Sequence, residues 1–476
     1  MNTVGASVKF IPRLIAQAAI ACCALSSTAS AQDAIAKTYG STAQRIIAEA
    51  TSARSATGAW QRLAELTDKY PGRLSGSTNL EGALRWAEGE MKKDALANVR
   101  IEKVMVPHWV RGAESAAIVR PYPAPLVIAT LGGSVGGKVE AEVLVVKSFE
   151  ELDKRAAEAK GKIVLFNVPF DEKAEPLSVY KVVTTVRGTG ASRAAAHGAV
   201  GALVRSVGPV GHRTPHTGGM RYDEKLPKIP AAAVSAEDAD KLQRMQDRGE
   251  KTVVNMSLGA QMLPDAESGN VIAEIRGREK PDEVVLISGH IDSWDIAAGA
   301  MDDGGGCVAM WEALRVLKRL NLTPRRTIRL VLFTNEENGT RGGTSYRDTY
   351  KDQLSKHVLA MESDDGVLPI EGYDFAGTPK AREIIKQIVQ LLAPVGGTVI
   401  NEGFNGADIT PMVTAANIPA MSADVDMRRY FFLHHTPADT VDKVDANEMA
   451  RMTAAMATIA YVVADLPEPL DRAPAP

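Results

Sequence analysis

The hydrophobic positions change period along the chain. Between about residues 32 and 94, apolar side chains recur at three-to-four spacing, over 43–50 and again over 60–66, which predicts amphipathic helices. Residues 68–75 (DKYPGRLS) are turn chemistry, 79–93 predict a further amphipathic helix, and 99–106 alternate like a strand. From 115 to 256 the pattern becomes one of short strands (126–131, 139–146, 162–168) with few long helices, the small-residue helix over 192–199 among them. The polar stretch 263–270 (LPDAESGN) is read as a turn-rich return. After it, strands over 271–275, 284–288, 327–333, 358–361, 398–400 and 419–423 alternate with helices over 306–320, 379–392 and 446–464. Alternation of this kind predicts an α/β fold with a mixed, mainly parallel sheet sandwiched by helices. The last helix carries Asp445 with Glu448 three residues on, a capping-box arrangement, and the proline-rich tail beyond it should fray.

Composition narrows this little. The 476 residues are 45% hydrophobic and 24% charged, with a net charge of −3, and that near balance argues against nucleic acid or an anionic membrane as the main partner. Residues 1–31 read as an export leader: Lys9 and Arg13, an apolar run over 14–25, then the small-x-small site Ala29-Ser30-Ala31. A run of about a dozen apolar residues is too short for a membrane span. Lipoprotein processing at Cys22 is the alternative, although Ala19-Ile20-Ala21 lacks the usual leucine. Cys22 and Cys23 leave with the leader, so the mature chain keeps Cys307 alone and forms no internal bridge. The expected organisation is a leader over 1–31, a discontinuous α/β domain over 32–112 and 262–468, an inserted β-rich domain over 113–261, and a flexible tail over 469–476.

Chemistry-bearing side chains gather at the predicted ends of strands. His290 and Asp292 close one apolar run, and Asp302 and Asp303 open the glycine run that follows. Glu336 and Glu337 close the next strand; Asp364 lies in MESDDG, and His434 and His435 lie in FFLHHTPADT. Imidazoles and carboxylates at the carboxyl ends of strands are what an α/β sheet offers a metal ion and its substrate. Two ions about 3.5–4 Å apart need a bridging carboxylate, a nitrogen and an acid on either side, and a free carboxylate to move protons. These five places hold that inventory. Glu336 and Glu337 can both face the site only if their strand has just ended in a turn, for which Asn338-Gly339 is the candidate. Asp303 is a candidate helix cap, with a metal role as the alternative. Gly304-Gly305-Gly306 is no phosphate loop, because no Lys-Ser/Thr pair follows.

In this order, GHIDSWD, GAMDDGGG, NEEN, MESD and HHTPADT resemble the co-catalytic zinc exopeptidases, the family of leucyl aminopeptidases and glutamate carboxypeptidases. The likeness runs over nearly the whole mature chain, and the stretch from GKIVLFNVP to IPAAAVSAEDADKL resembles the protease-associated domain inserted into some exopeptidases. The resemblance implies two zinc ions per subunit, short peptide substrates and a homodimer. It implies Asp302 as the bridge, His290 and Asp364 on one ion, Glu337 and His435 on the other, and Glu336 as general base. Asp292 is then the carboxylate expected to orient His290 through its second ring nitrogen. Family members often carry a tyrosine before the ligand histidine to hold the scissile carbonyl oxygen. His434 stands there in this chain, and oxyanion stabilisation and packing are its two readings. His216, in TPHTGG, could reach the site from the insert, and Arg428 or Arg429 could meet a substrate carboxylate. His108, His197 and His357 read as structural or surface groups.

The implied activity is exopeptidase action, with dipeptidase first, aminopeptidase second and carboxypeptidase third. Two rivals stand beside it: a single-zinc acyltransferase resembling the glutaminyl cyclases, and a receptor-like ectodomain that has lost its metals.

Overall fold

A computed structural model describes residues 34–209 and 211–474, so the leader expected over 1–31 lies outside the described residues. One eight-stranded sheet runs in the order Ala97–Val110, Gln261–Ile275, Arg326–Phe333, Lys280–His290, His357–Glu362, Ala420–Val425, Ile370–Ala376, Val399–Glu402. The four strands from Arg326–Phe333 to Ala420–Val425 pair in parallel, and antiparallel strands flank them on both sides. The central strands are apolar on both faces. Val285 and Ile287 pack into the core shared with helices Gly305–Arg319 and Ala446–Asp465. Val284 and Leu286 point the other way, against Tyr346 and Met412 of helices Arg341–Thr349 and Thr410–Ala416. Two buried faces from one alternating strand are what a parallel layer between crossover helices requires. Asp445 caps the last helix, accepting from the N–H of Asn447 at 2.8 Å and of Glu448 at 3.1 Å. Glu448 pairs with Arg451 at 3.1 Å instead of reaching back to the cap.

Three expectations change. The tail is packed as far as it is described: Leu470 is buried, Thr378 Oγ1 donates to the Asp471 carboxylate at 2.7 Å, and Arg472 Nη2 donates to the Ser355 carbonyl at 3.0 Å. Residues 263–270 are not a turn-rich connection: they lie inside the strand Gln261–Ile275, paired along its length with Ala97–Val110. The register slips between Val106 and His108, where two residues of one strand, Pro264 and Asp265, oppose one of the other, Pro107. That bulge accommodates Pro264, which has no N–H for the ladder. The insert also holds a long helix, Pro176–Ala196, of which the sequence reading caught only the end. Its Val179, Val182, Val183 and Thr184 look strand-like. A fixed start and tertiary packing override them: Glu175 accepts from the N–H of Leu177 and Ser178, Pro176 sits in the first turn, and Val183 and Val186 are buried.

The second sheet runs Ala124–Leu126, Glu114–Arg120, Val253–Leu258, Gly137–Val146, Ile163–Phe166, Gly201–Arg205, Ala231–Val234, Ile128–Thr130. Arg111, at the junction of the two sheets, grips the Asp295 carboxylate with Nε at 2.9 Å and Nη2 at 2.6 Å. Helix Pro176–Ala196 reaches the short helix Met427–Phe431 of the first sheet's layer, where Tyr180 stacks on Phe431 with ring centroids 4.6 Å apart. The insert thus forms one wall of the cleft above the carboxyl ends of the parallel strands.

Candidate metal centre

His290 is the last residue of its strand, Asp364 follows its strand by two residues, and Glu336 and Glu337 follow Phe333 by three and four. The turn after Phe333 is made by Asn335 in the left-handed region (φ +66°), not by Gly339. Asparagine tolerates that region because its short amide bonds locally. Asn335 Oδ1 accepts from the Arg341 N–H at 3.1 Å and its Nδ2 donates to Ser75 Oγ at 2.9 Å.

These ends bring two groups of ligand-type atoms together around Asp302. On one side His290 Nε2 stands 3.2 Å from Asp302 Oδ1 and 2.9 Å from Asp364 Oδ1. On the other, His435 Nε2 stands 3.4 Å from Asp302 Oδ2 and 2.9 Å from Glu337 Oε2. One carboxylate therefore offers a different oxygen to each group. Within each trio the ligand atoms lie within 4.8 Å of one another. Asp302 Oδ2 and Glu337 Oε2 are buried and accept no hydrogen bond. Two orphaned carboxylate oxygens facing the His435 imidazole in a dry site are costly unless a cation satisfies them, so that trio fits a cation, and the His290 trio offers the same ligand types. His216, His434 and His435 form a third cluster, but four of its six ring nitrogens are already matched. His216 Nδ1 and His435 Nδ1 reach the Thr217 carbonyl at 2.9 and 3.3 Å, and His216 Nε2 meets His434 Nδ1 at 3.1 Å.

The supporting contacts differ in part from those anticipated. His290 Nδ1 reaches the main-chain carbonyl of Asp292 at 3.1 Å, while the Asp292 carboxylate stands 3.8 Å away. That carboxylate accepts from the N–H of Glu336 at 3.0 Å and of Glu337 at 3.3 Å, so Asp292 anchors the turn carrying both acids. Asp303 caps, as expected, accepting from the Gly306 N–H at 3.1 Å, and also from the His290 N–H at 3.1 Å. His434 stacks on His435 with centroids 3.6 Å apart, and its Nε2 is 3.5 Å from Asp302 Oδ2. His216 does reach the site from the insert.

Crowding dominates the electrostatics. Burial, then the neighbouring Asp364, hold Glu336 well above the usual carboxylate range, and burial with Asp302 does the same to Glu337. Burial opposes charge on His290, yet Asp364 and Asp302 hold its pKa well above the ordinary value. Burial keeps His216, His434 and His435 neutral. A metal-free site therefore shares protons among its acids, and cation binding must release them. Burial and the nearby Asp303 push the Cys307 thiol far up, which leaves it inert.

Four residues of consequence escaped sequence reasoning. Arg73, fully buried, and Asp439 hold the loop leading to Asp302. Tyr180 and Arg187 line a cavity of about 290 Å³ together with Asp302, Glu336, Asp364, Tyr430 and His434. Arg187 Nη1 donates to Tyr180 Oη at 3.0 Å and to the Thr217 carbonyl at 3.2 Å, while its buried Nε has no partner. Gly218 makes room for the guanidinium: at its φ of +143° a Cβ would lie 2.3 Å from the Arg187 side chain. Arg428 and Arg429, by contrast, are exposed and lie outside the cavity wall. The run VRGTGASR carries no periodic or motif signal that would single out Arg187.

The profile of Peptidase family M28 matches residues 270–460, and that of the PA domain matches residues 124–242. Mouse (Mus musculus) carboxypeptidase Q is 42% identical over 437 residues, covering 91% of this chain and 91% of that protein. The crystal structure of a peptidase M28 precursor from Shewanella amazonensis superposes with a TM-score of 0.86 at 34% identity, over 92% of this chain and 99% of the other. An aminopeptidase from Aneurinibacillus sp. strain AM-1 shares the fold at 20% identity, with a TM-score of 0.62 over 90% of this chain and 98% of its own.

Proposed function

From the premise that this chain belongs to peptidase family M28, we propose that it is an exported di-zinc dipeptidase. The observation that carries the two-ion reading is Asp302, whose two oxygens face separate trios, His290 with Asp364 and His435 with Glu337. Two zinc ions, when bound, would polarise the scissile carbonyl and acidify the attacking water. Within that setting Glu336 is the general base. It lines the cavity beside both trios, belongs to neither, and its environment favours holding a proton, as a group that takes one from water and passes it to the leaving amine must. Asp292 serves by fixing the turn that carries Glu336. His434 is assigned to the carbonyl-oxygen side of the cavity, next to Asp302.

Arg187 supports substrates with a free carboxylate. A guanidinium has five N–H donors in a planar fork, and here Nη1 is taken while the Nε/Nη2 edge faces no carboxylate among the described residues. That edge matches a carboxylate bidentately. A carboxypeptidase would use it equally, and the name carboxypeptidase Q of the relatives favours that second reading. Domain limits of 32–112 with 262–468, and 113–261, fit this assignment, as does homodimerisation. Export rests on the leader pattern of residues 1–31; no described helix is long and apolar enough to cross a membrane.

The test is one set of rates. Mature protein is chelated, reloaded with zinc, and offered dipeptides and longer peptides with free or blocked ends. Cleavage restricted to dipeptides free at both ends supports the proposal. Release of carboxyl-terminal residues from amino-blocked tripeptides selects the carboxypeptidase, and full activity in the chelated protein removes both.

A further inference from the structure

We infer that Asp439 is a positioning residue that couples the two cation sites, an inference that rests on the two-ion reading above. Asp439 lies in the same loop as His435, and its side chain is 1% exposed. Its carboxylate accepts three successive main-chain N–H groups: Ala300 at 3.1 Å and Met301 at 2.6 Å on Oδ1, and Asp302 at 3.1 Å on Oδ2. The Asp439 carbonyl also accepts from the Ala298 N–H at 3.2 Å. The main chain that presents the bridging carboxylate is therefore fastened, peptide by peptide, to the loop that supplies a ligand to only one ion.

Arg73 holds the same segment from the other side. Its Nε donates to the Ile291 carbonyl at 2.7 Å, Nη1 to Ala298 at 2.7 Å and Nη2 to Gly299 at 2.8 Å. The segment between His290 and Asp302 contains no strand and almost no helix, and a buried stretch of that kind must find partners for its peptide groups elsewhere. Arg73 takes carbonyls and Asp439 takes N–H groups. Among the described residues neither side chain forms a salt bridge, so each acts on the backbone alone. Asp302 is the one residue shared by both trios, so a shift of its main chain moves a ligand oxygen of each site at once. A loss confined to His435 moves one.

Replacing Asp439 by asparagine keeps the size and exchanges an acceptor for a donor that faces N–H groups. The full-length mature protein is stripped, and zinc affinities are read by competition with a chromophoric chelator. Wild type should take two ions. Asp439→Asn should weaken both by about 10–100-fold, the range for losing a group that orients metal ligands, and by similar factors. His435→Ala should weaken one ion only. Cobalt substitution supplies a second readout, since the absorption bands of both sites should change in Asp439→Asn and of one in His435→Ala. If Asp439→Asn does not fold, Asp439→Ser, which retains one acceptor, is measured in the same way. A folded variant that binds both ions with wild-type affinity, or loses one selectively, overturns the inference. Uptake of a single ion by wild type refutes the two-ion reading itself and the coupling with it.

Discussion

Replacing Arg187 by methionine keeps most of the side-chain volume and removes the guanidinium that the insert contributes to the cavity wall. Nη1 is spent on Tyr180 and Thr217, so a substrate carboxylate would meet Nε and Nη2 through two charge-assisted hydrogen bonds. Each such bond is worth roughly 1.5–3 kcal/mol, and the partial exposure of Arg187 places the pair near the low end, about 3 kcal/mol together. At about 1.4 kcal/mol per tenfold, kcat/KM for a dipeptide should fall by roughly 10²-fold. The assay compares a dipeptide with its carboxyl-terminal amide, on zinc-loaded wild type, Arg187→Met and Arg187→Lys. The amide cannot use the fork, so its kcat/KM should barely respond, and the preference for the free acid should collapse. Lysine keeps the charge but not the bidentate geometry and should fall between. Equal losses on acid and amide, or no loss on either, would refute carboxylate recognition by Arg187.

Other expectations concern the centre itself. Glu336→Gln should retain its zinc, measured by metal analysis, and lose about 10²–10⁴ in kcat, the usual contribution of a positioned base; an active variant would remove that assignment. Asp302→Asn should instead lose metal, because it is the residue common to both trios. Stability of the metal-free protein should fall as pH rises from 6.5 to 8. Asp439 and Glu362 are raised by burial to about 7 and about 8, so the stability they contribute is full below their unfolded values near 4 and is lost as pH rises through the folded ones. His357, lowered by burial to about 4, acts oppositely, but its gain is complete by about pH 6.5. Melting temperatures of chelated protein across that window check the sign. Zinc-loaded protein should show a smaller fall, since bound dications beside Asp439 and Glu362 would favour their charged forms and lower their folded pKa values.

The strands and helices of the main sheet were legible because each has one strong local pattern. Apolar runs such as Val284–Ile287 bounded by polar turns leave few alternatives, and Asp445 announces its helix directly. The ligand-type residues were legible for a related reason, since His290, Glu337 and Asp364 close strands and lie in short blocks. What escaped was set by partners distant in sequence. LPDAESGN became a strand because Ala97–Val110 lies beside it, and a bulge absorbed its proline. The valine-rich start of Pro176–Ala196 became helix because its buried face packs in the insert. Arg73, Asp439 and Arg187 bear no local mark, because what they bond to is backbone, or open cavity, brought to them by folding.

The chain by itself determined the chemistry available: imidazoles, acids and glycines, in an order that alternating strands deliver to one edge of a sheet. Periodicity and side-chain type suffice for that, because both are local properties. Only the tertiary structure decided that Asp302 turns one oxygen to His290 and the other to His435. It alone set the His290 ring against the carbonyl of Asp292 instead of its carboxylate, and hung Arg187 of the insert over the same cavity. These are distances between segments that meet only when the sheet, the His434–Asp439 loop and the insert close on one another. No period along the chain encodes them.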